Sequence, residues 1–178
     1  RTTTGALLAS APPGGRIVKT TPIAAAGVTE YQLSNGVPVR IKPTTLKADE
    51  VLFRATSYGG SSLAPDDSFI PASVAAQVVG VGGAGAHGDA DLRRLLTGKV
   101  ANVLPFISLY EQGLAGEASP KDLETLFQLI YMRFTQPRAD RTAFNVLASQ
   151  ARTLAGTQAA TPEGVFQATL TSILAQNH

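Results

Sequence analysis

Val78-Val79-Gly80-Val81-Gly82-Gly83-Ala84-Gly85-Ala86-His87-Gly88 is the stretch whose reading decides the fold. Gly80 to Gly85 satisfies G-x-G-x-x-G, the dinucleotide-binding fingerprint, which works when a strand runs into the glycines and a helix starts on them. The flanks argue otherwise. Phe69 to Val79 is apolar nearly all round, with Ala72, Ala75, Ala76 and Val79 at helical spacing, so a helix precedes the glycines and its uniform apolarity places it in a core. The fingerprint also needs an acidic residue about 20 positions on, at the end of the next strand. That strand, Val100 to Leu109, contains neither Asp nor Glu. The glycines therefore read as a helix-to-helix turn, and a dinucleotide-binding domain on Gly80 to Gly85 stays as the rival reading.

Upstream, the period is that of a sheet. Tyr31-Gln32-Leu33 and Val37-Pro38-Val39-Arg40-Ile41 flank Ser34-Asn35-Gly36, and Asn-Gly between alternating apolar residues is a strong hairpin signal because both residues tolerate positive φ. Val51 to Tyr58 reads as a third strand ending at Gly59-Gly60, so a β-meander is expected to open the domain. Ahead of Val28, Arg1 to Gly27 mixes Thr, Ala, Pro and Gly without an aromatic or a sustained period. It reads as a linker or extended segment, with room for a short strand such as Arg16 to Lys19.

Downstream, Asp89 to Thr97 reads as a helix capped by Asp89, with Leu92, Leu95 and Leu96 on one stripe and Gly98 closing it. Two strands follow, Val100 to Leu109 and Gly113 to Ala118. Then Ser119 is placed to accept the first amides of a helix, with Pro120 in its first turn and Asp122 against its positive end. Leu123, Leu126, Phe127, Ile130, Tyr131 and Phe134 form its apolar stripe, and Pro137 stops it. Helical patterns over Asp140 to Leu154 and Pro162 to Ala175 complete the chain. Three strands, two helices, two strands and three helices predict an α+β fold with a mostly antiparallel sheet packed by helices. The expected organisation is a segment 1–27 followed by one domain over 28–178.

Composition narrows the function. A chain of 178 residues, 44% hydrophobic, can bury one sizeable core. Its 15 basic and 13 acidic residues leave a net charge of +2, too balanced to argue for nucleic acid or an anionic membrane surface. No apolar run approaches the roughly 18 residues of a membrane span. Without cysteine there is neither disulfide nor thiolate metal site. No residue stands out as catalytic, cofactor-binding or metal-ligating. His87 reads as a solvated loop histidine, Asp66 and Asp67 beside Pro65 as turn formers, and Lys121, Asp122 and Glu124 as the solvent face of a helix start. Ser61 and Ser62 have no histidine base near them in sequence.

Several motifs resemble one family. Tyr31-Gln32-Leu33-Ser34-Asn35-Gly36-Val37-Pro38-Val39 followed by Gly59-Gly60-Ser61 is similar to the opening of a domain of the pitrilysin (insulinase-like) zinc metallopeptidases. Leu96-Thr97-Gly98-Lys99, the run Ala118-Ser119-Pro120-Lys121-Asp122-Leu123-Glu124-Thr125-Leu126-Phe127-Gln128-Leu129, and Pro137-Arg138-Ala139-Asp140 resemble the two-half bacterial members. The likeness covers roughly Val28 to His178. It implies an αβ-roll of the type shared with mitochondrial processing peptidase subunits, with related domains continuing in further strands and this one therefore open to truncation at His178.

The departure from the family pattern bears on function. Active halves carry His-x-x-Glu-His on the first long helix, where two imidazoles hold zinc and the Glu is the general base. Here that helix, Phe69 to Val79, has neither residue, and the two histidines, His87 and His178, lie far apart with no Glu at ligand spacing. The resemblance thus implies the non-catalytic half of a periplasmic or otherwise secreted bacterial zinc metalloendopeptidase, inactive alone. Zinc is expected in the active half of the same polypeptide or of a sibling subunit, a peptide or unfolded protein is the expected substrate, and neither nucleic acid nor a membrane span enters. A stand-alone structural or assembly subunit of the same fold is the remaining alternative.

Overall fold

The computed structural model describes residues 7, 8, 10 and 12–176. Arg1 to Ala6 and His178 lie outside them. In chain order the strands and helices are β1 (Ile17–Ile23), β2 (Val28–Leu33), β3 (Pro38–Ile41), β4 (Val51–Tyr58), α1 (Phe69–Val81), α2 (Asp89–Leu95), β5 (Ala101–Ile107), β6 (Glu111–Ala118), α3 (Leu123–Thr135), α4 (Arg141–Ala159) and α5 (Pro162–Leu174). Short 3-10 turns precede β2, α1 and α3. The fold is α+β with every strand pairing antiparallel, as the element order predicts.

The expected meander is corrected. β1, β2 and β3 form one three-stranded sheet, and β4 belongs to a second, ordered β4-β6-β5. β3 is only four residues long and starts at Pro38, which has no N–H to offer a further strand. β4 instead pairs along its whole length with β6, from Val51 opposite Ala118 to Tyr58 opposite Glu111. The hairpin between β2 and β3 forms where Asn35-Gly36 places it, but only Gly36 takes positive φ, 86°. Gly36 N–H donates to the Leu33 carbonyl (2.9 Å) and Leu33 N–H to the Val37 carbonyl (3.0 Å), so Ser34-Asn35-Gly36 is a three-residue loop closing in a left-handed glycine.

Within the segment expected to be linker or extended, β1 pairs with β2 from Ile17 opposite Leu33 to Ile23 opposite Val28. This strand runs past the Arg16 to Lys19 that its residues suggest. Its mostly exposed pattern explains why no alternation announces it. Leu7 and Leu8 pack against the hydrophobic core.

That core lies between the second sheet and the helices on its inner face. Val103, Leu114 and Ala118 from the sheet meet Leu92 from α2 and Leu126, Leu129 and Met132 from α3, all at most 5% exposed. The outer face is polar in part. Arg54 pairs with Glu111 at 2.8 Å and its guanidinium sits 4.3 Å from the Phe106 ring centre, reaching across the intervening strand where Gly113 has no side chain.

Three local expectations change. Asp89 is not the cap of α2: the chain leaves the glycine turn extended at Gly88, which takes the cap position, and Asp89 pairs with Arg93 one helical turn on at 2.8 Å. Ser119 does not accept helix amides; its hydroxyl donates to Asp122 Oδ2 at 2.7 Å. Asp122 is therefore no solvent-face residue. It is 7% exposed, and the same Oδ2 accepts the Val100 N–H at 2.9 Å, tying the approach to β5 to the start of α3. The starts of α4 and α5 follow ordinary capping: Asp140 Oδ1 accepts from Ala143 N–H and Thr161 Oγ1 from Gly164 N–H.

Candidate functional site

α1 carries the glycines to their place. It runs to Val81, two residues past the Val78-Val79 pair, and Gly82 ends it because the chain must there pass against the Arg138 backbone carbonyl, closer than any Cβ allows. Gly83 then turns with φ 90°, a value that side-chain-bearing residues rarely adopt. Ala84 follows at 0% exposure, making the middle of the glycine stretch part of the core. Its N–H donates to the His87 carbonyl and the His87 N–H returns to the Ala84 carbonyl, each at 3.0 Å. Gly85 N–H donates to the Gln136 carbonyl at 3.0 Å. His87 is thus half-buried in a closed turn, a correction to its reading as a solvated residue.

The centre of this arrangement is Arg133 of α3, 8% exposed. Its Nη1 donates to the carbonyls of Gly83 (2.6 Å) and Val79 (2.8 Å), and its Nη2 to that of Gly80 (3.2 Å). These are carbonyls at the C-terminal end of α1 and just beyond it, where the helix dipole is negative, so the cation lies where a helix best receives one. Burial pushes the Arg133 pKa down while the charge of Asp89 pulls it up, and an arginine starting so high stays protonated. Arg133 Nε is buried without a protein partner.

This geometry bears on the fingerprint reading of Gly80 to Gly85. A dinucleotide turn directs free N–H groups at phosphate from the start of a helix. Here the segment before the glycines is helix α1, the amides of Gly82, Ala84, Gly85 and His87 are engaged within the protein, and the carbonyls converge on a cation. The polarity is the reverse of a phosphate cradle.

The zinc of the resembled family finds no fit either. α1 is Phe69-Ile70-Pro71-Ala72-Ser73-Val74-Ala75-Ala76-Gln77-Val78-Val79-Gly80-Val81, with no donor of the kind zinc takes. Among the described residues no three of His, Cys, Asp or Glu converge as a ligand set. Ser61 is 5% exposed and bonded through its amide to the Ser108 carbonyl, and Ser62 Oγ donates to the Gly59 carbonyl, so both serve the turn after β4. Asp66 and Asp67 lie in the 3-10 turn before α1, Asp67 accepting from Ser68 Oγ.

What the fold does present is apolar surface. A groove of about 680 Å³ lies between α1, the second sheet and the end of α3, lined by Ala75, Ala76, Val79, Leu114, Arg133 and Phe134 among others. α1 buries only Ala76 below a tenth, and Ile70, Phe69 and Val81 are 67%, 38% and 40% exposed. Its all-round apolarity is thus not the mark of a helix enclosed on every side. α3 is corrected likewise. Its buried face is Thr125, Leu126, Leu129, Met132 and Arg133, while Phe127 (58%), Tyr131 (38%) and Phe134 (62%) form a second stripe. At 100° per residue these two faces point in nearly opposite directions. α4 and α5 bury no residue. No helix among the described residues is long and apolar enough to cross a membrane.

Comparison with known proteins places this arrangement. No family model matches the chain. Over 109 residues it is 33% identical to a protein of Arabidopsis thaliana described as "Zinc protease PQQL-like", covering 61% of this chain and 9% of that protein. A solved point mutant of the ferredoxin protease FusC, in complex with Arabidopsis ferredoxin, superimposes with a TM-score of 0.75 at 24% identity over 93% of this chain. The periplasmic protease PqqL from Escherichia coli superimposes with a TM-score of 0.75 at 22% identity over 87%. The chain spans 18% and 17% of those two solved chains, so the likeness carries the fold of one domain within much longer proteases.

Proposed function

We propose that this chain, which is similar to domains of pitrilysin-type zinc proteases, is a non-catalytic domain forming part of the wall of a peptide-binding chamber opposite a zinc-bearing half. The observation that carries this reading is α1. By the sequence resemblance it corresponds to the helix that holds metal in active halves, yet it offers only apolar and small side chains and Gln77, and its end is sealed by Arg133.

The surface supports the same reading. α3 turns one face to its own core and an aromatic stripe outward, and large exposed apolar patches mark places where another domain packs. The chemistry, in this proposal, belongs entirely to the other half, where zinc would polarise the scissile carbonyl and activate water. Peptide or unfolded protein would be the substrate of the assembled enzyme, and the periplasm or another secreted bacterial compartment its location.

Metal analysis of the purified chain tests this. The expected result is zinc well below one equivalent and no peptidase activity. Stoichiometric zinc with activity lost on chelation would overturn it.

A further inference from the structure

Only one of the chain's four asparagines, Asn35 in the turn between β2 and β3, precedes a glycine. Ser34 to Pro38 are all exposed, and nothing lies within 4 Å of where a Cβ would stand on Gly36. Asn35 Oδ1 accepts the Val37 N–H at 3.2 Å, an arrangement that curls the side chain back over the following peptide. A donor on that oxygen draws electron density from Cγ, as donors on any acyl oxygen do. Two further bonds hold the glycine: its N–H donates to the Leu33 carbonyl at 2.9 Å, and Gln32 Nε2 donates to its carbonyl at 2.6 Å. The other described asparagines stand differently. Asn102 lies in β5 and Asn145 in α4, each followed by a β-branched valine and held in regular structure.

We propose that Asn35 is a self-modification site, converting through a cyclic imide to isoaspartate and aspartate. The reactants are the Asn35 side chain, the Gly36 backbone nitrogen and water. When the turn opens, the Gly36 nitrogen gives up its proton and bonds to Asn35 Cγ. The Cγ–Nδ2 bond breaks, and the side-chain nitrogen leaves as ammonia with that proton. Water then opens the ring at either carbonyl. Opening at Cγ restores the main chain with aspartate, and opening at the Asn35 main-chain carbonyl leaves the chain running through Cγ as isoaspartate. One water enters and one ammonia leaves, with no change in oxidation state. Glycine suits the first step because no Cβ obstructs the approach. The bond from Gly36 to Leu33 must break first, and exposed loop tips are where such local opening costs least. Isoaspartate adds one carbon to the main chain of the loop that sets the β2–β3 register, and either product adds a negative charge there. The attack is internal and only water has to reach the site, so the inference depends on neither the protease reading nor a partner.

Incubation of the folded full chain at neutral and mildly alkaline pH, followed by peptide mapping with mass spectrometry, tests it. The peptide holding Asn35 should gain the mass difference between a hydroxyl and an amino group and separate by chromatography into two products, isoaspartate and aspartate. Conversion should quicken as pH rises, because the attacking nitrogen must lose its proton. It should run at least about tenfold ahead of Asn102 and Asn145, which regular structure and a following valine hold back. Gln32→Met removes a bond that keeps the turn shut and should speed conversion about two- to fivefold, with circular dichroism unchanged. Conversion at Asn35 no faster than at Asn102 and Asn145, aspartate without isoaspartate, or a rate indifferent to Gln32→Met would each overturn the proposal.

Discussion

Arg133 Nη1 donates to the carbonyl of Gly83 at 2.6 Å, joining the last turn of α3 to the first left-handed residue beyond α1. The same nitrogen holds the Val79 carbonyl and its twin the Gly80 carbonyl, so one side chain satisfies acceptors that would otherwise be closed from water. Two helices that share no segment of sequence thereby end on a common group.

Replacing Arg133 with Met keeps the stem and removes the donors. The expected loss is about 1–3 kcal/mol, the cost of leaving a buried acceptor unpaired. It should appear in urea unfolding as a lower midpoint at unchanged slope. Arg133→Lys should recover only part of this, since an ammonium cannot span the three carbonyls as the planar fork does. An unchanged midpoint for Arg133→Met would contradict the role assigned here.

The glycines of the turn are not equivalent. At Gly83 a side chain meets both a φ of 90° and the His87 backbone, so Gly83→Ala should destabilise by about 1–3 kcal/mol. Gly88 has open space at its Cβ, an ordinary φ of −65° and the cap position of α2. Gly88→Ser should therefore raise stability by a few tenths of a kcal/mol. Thermal unfolding of the two variants side by side separates conformational need from mere glycine content.

Asp122 fixes the sign of the acid limb. The Ser119 hydroxyl first and the Val100 amide second hold its carboxyl below the ordinary carboxylate range, against a smaller upward effect of burial. A folded pKa below the unfolded one means that stability from this group is full above the unfolded value and is lost as pH falls through the folded one. Asp140, lowered first by the Ala143 amide and then by Arg138, acts in the same direction. Urea midpoints measured from pH 6 down to pH 2 should fall more steeply for the unaltered chain than for Asp122→Asn. The variant should keep the part due to Asp140.

The two faces of α3 can be told apart by truncation. Leu126, 1% exposed, should cost about 2–5 kcal/mol as Ala, whereas Phe127, 58% exposed, should change stability by no more than about 0.5 kcal/mol. Comparable losses at both positions would mean that the outward stripe is already covered.

Much of this was legible because local chemistry and tertiary structure agree. The Asn35-Gly36 turn, the β-rich run from Val51 to Tyr58 stopped by Gly59-Gly60, and the helices begun by Asp140 and Pro162 are all set by residues within a few positions of each other. The division into two sheets was not, because β4 finds β6 across more than fifty residues and nothing local in either strand names its partner. Arg133 was missed for a related reason. An arginine late in a helix reads as solvent face or dipole partner, and only its spacing, four after Leu129 and seven after Leu126, placed it in the buried register. Asp122 was misread because its amide partner, Val100, lies in another segment. The double stripe on α3 looked like one broad stripe, since periodicity counts apolar residues without saying which of them find neighbours.

The anchor that α1 and α3 share also sets how the molecule can yield. Arg133 fastens the end of one helix to the last turn of the other, so neither end can fray there without uncovering the other's carbonyls. The two helix ends should therefore open to solvent together, as one cooperative unit, rather than in turn.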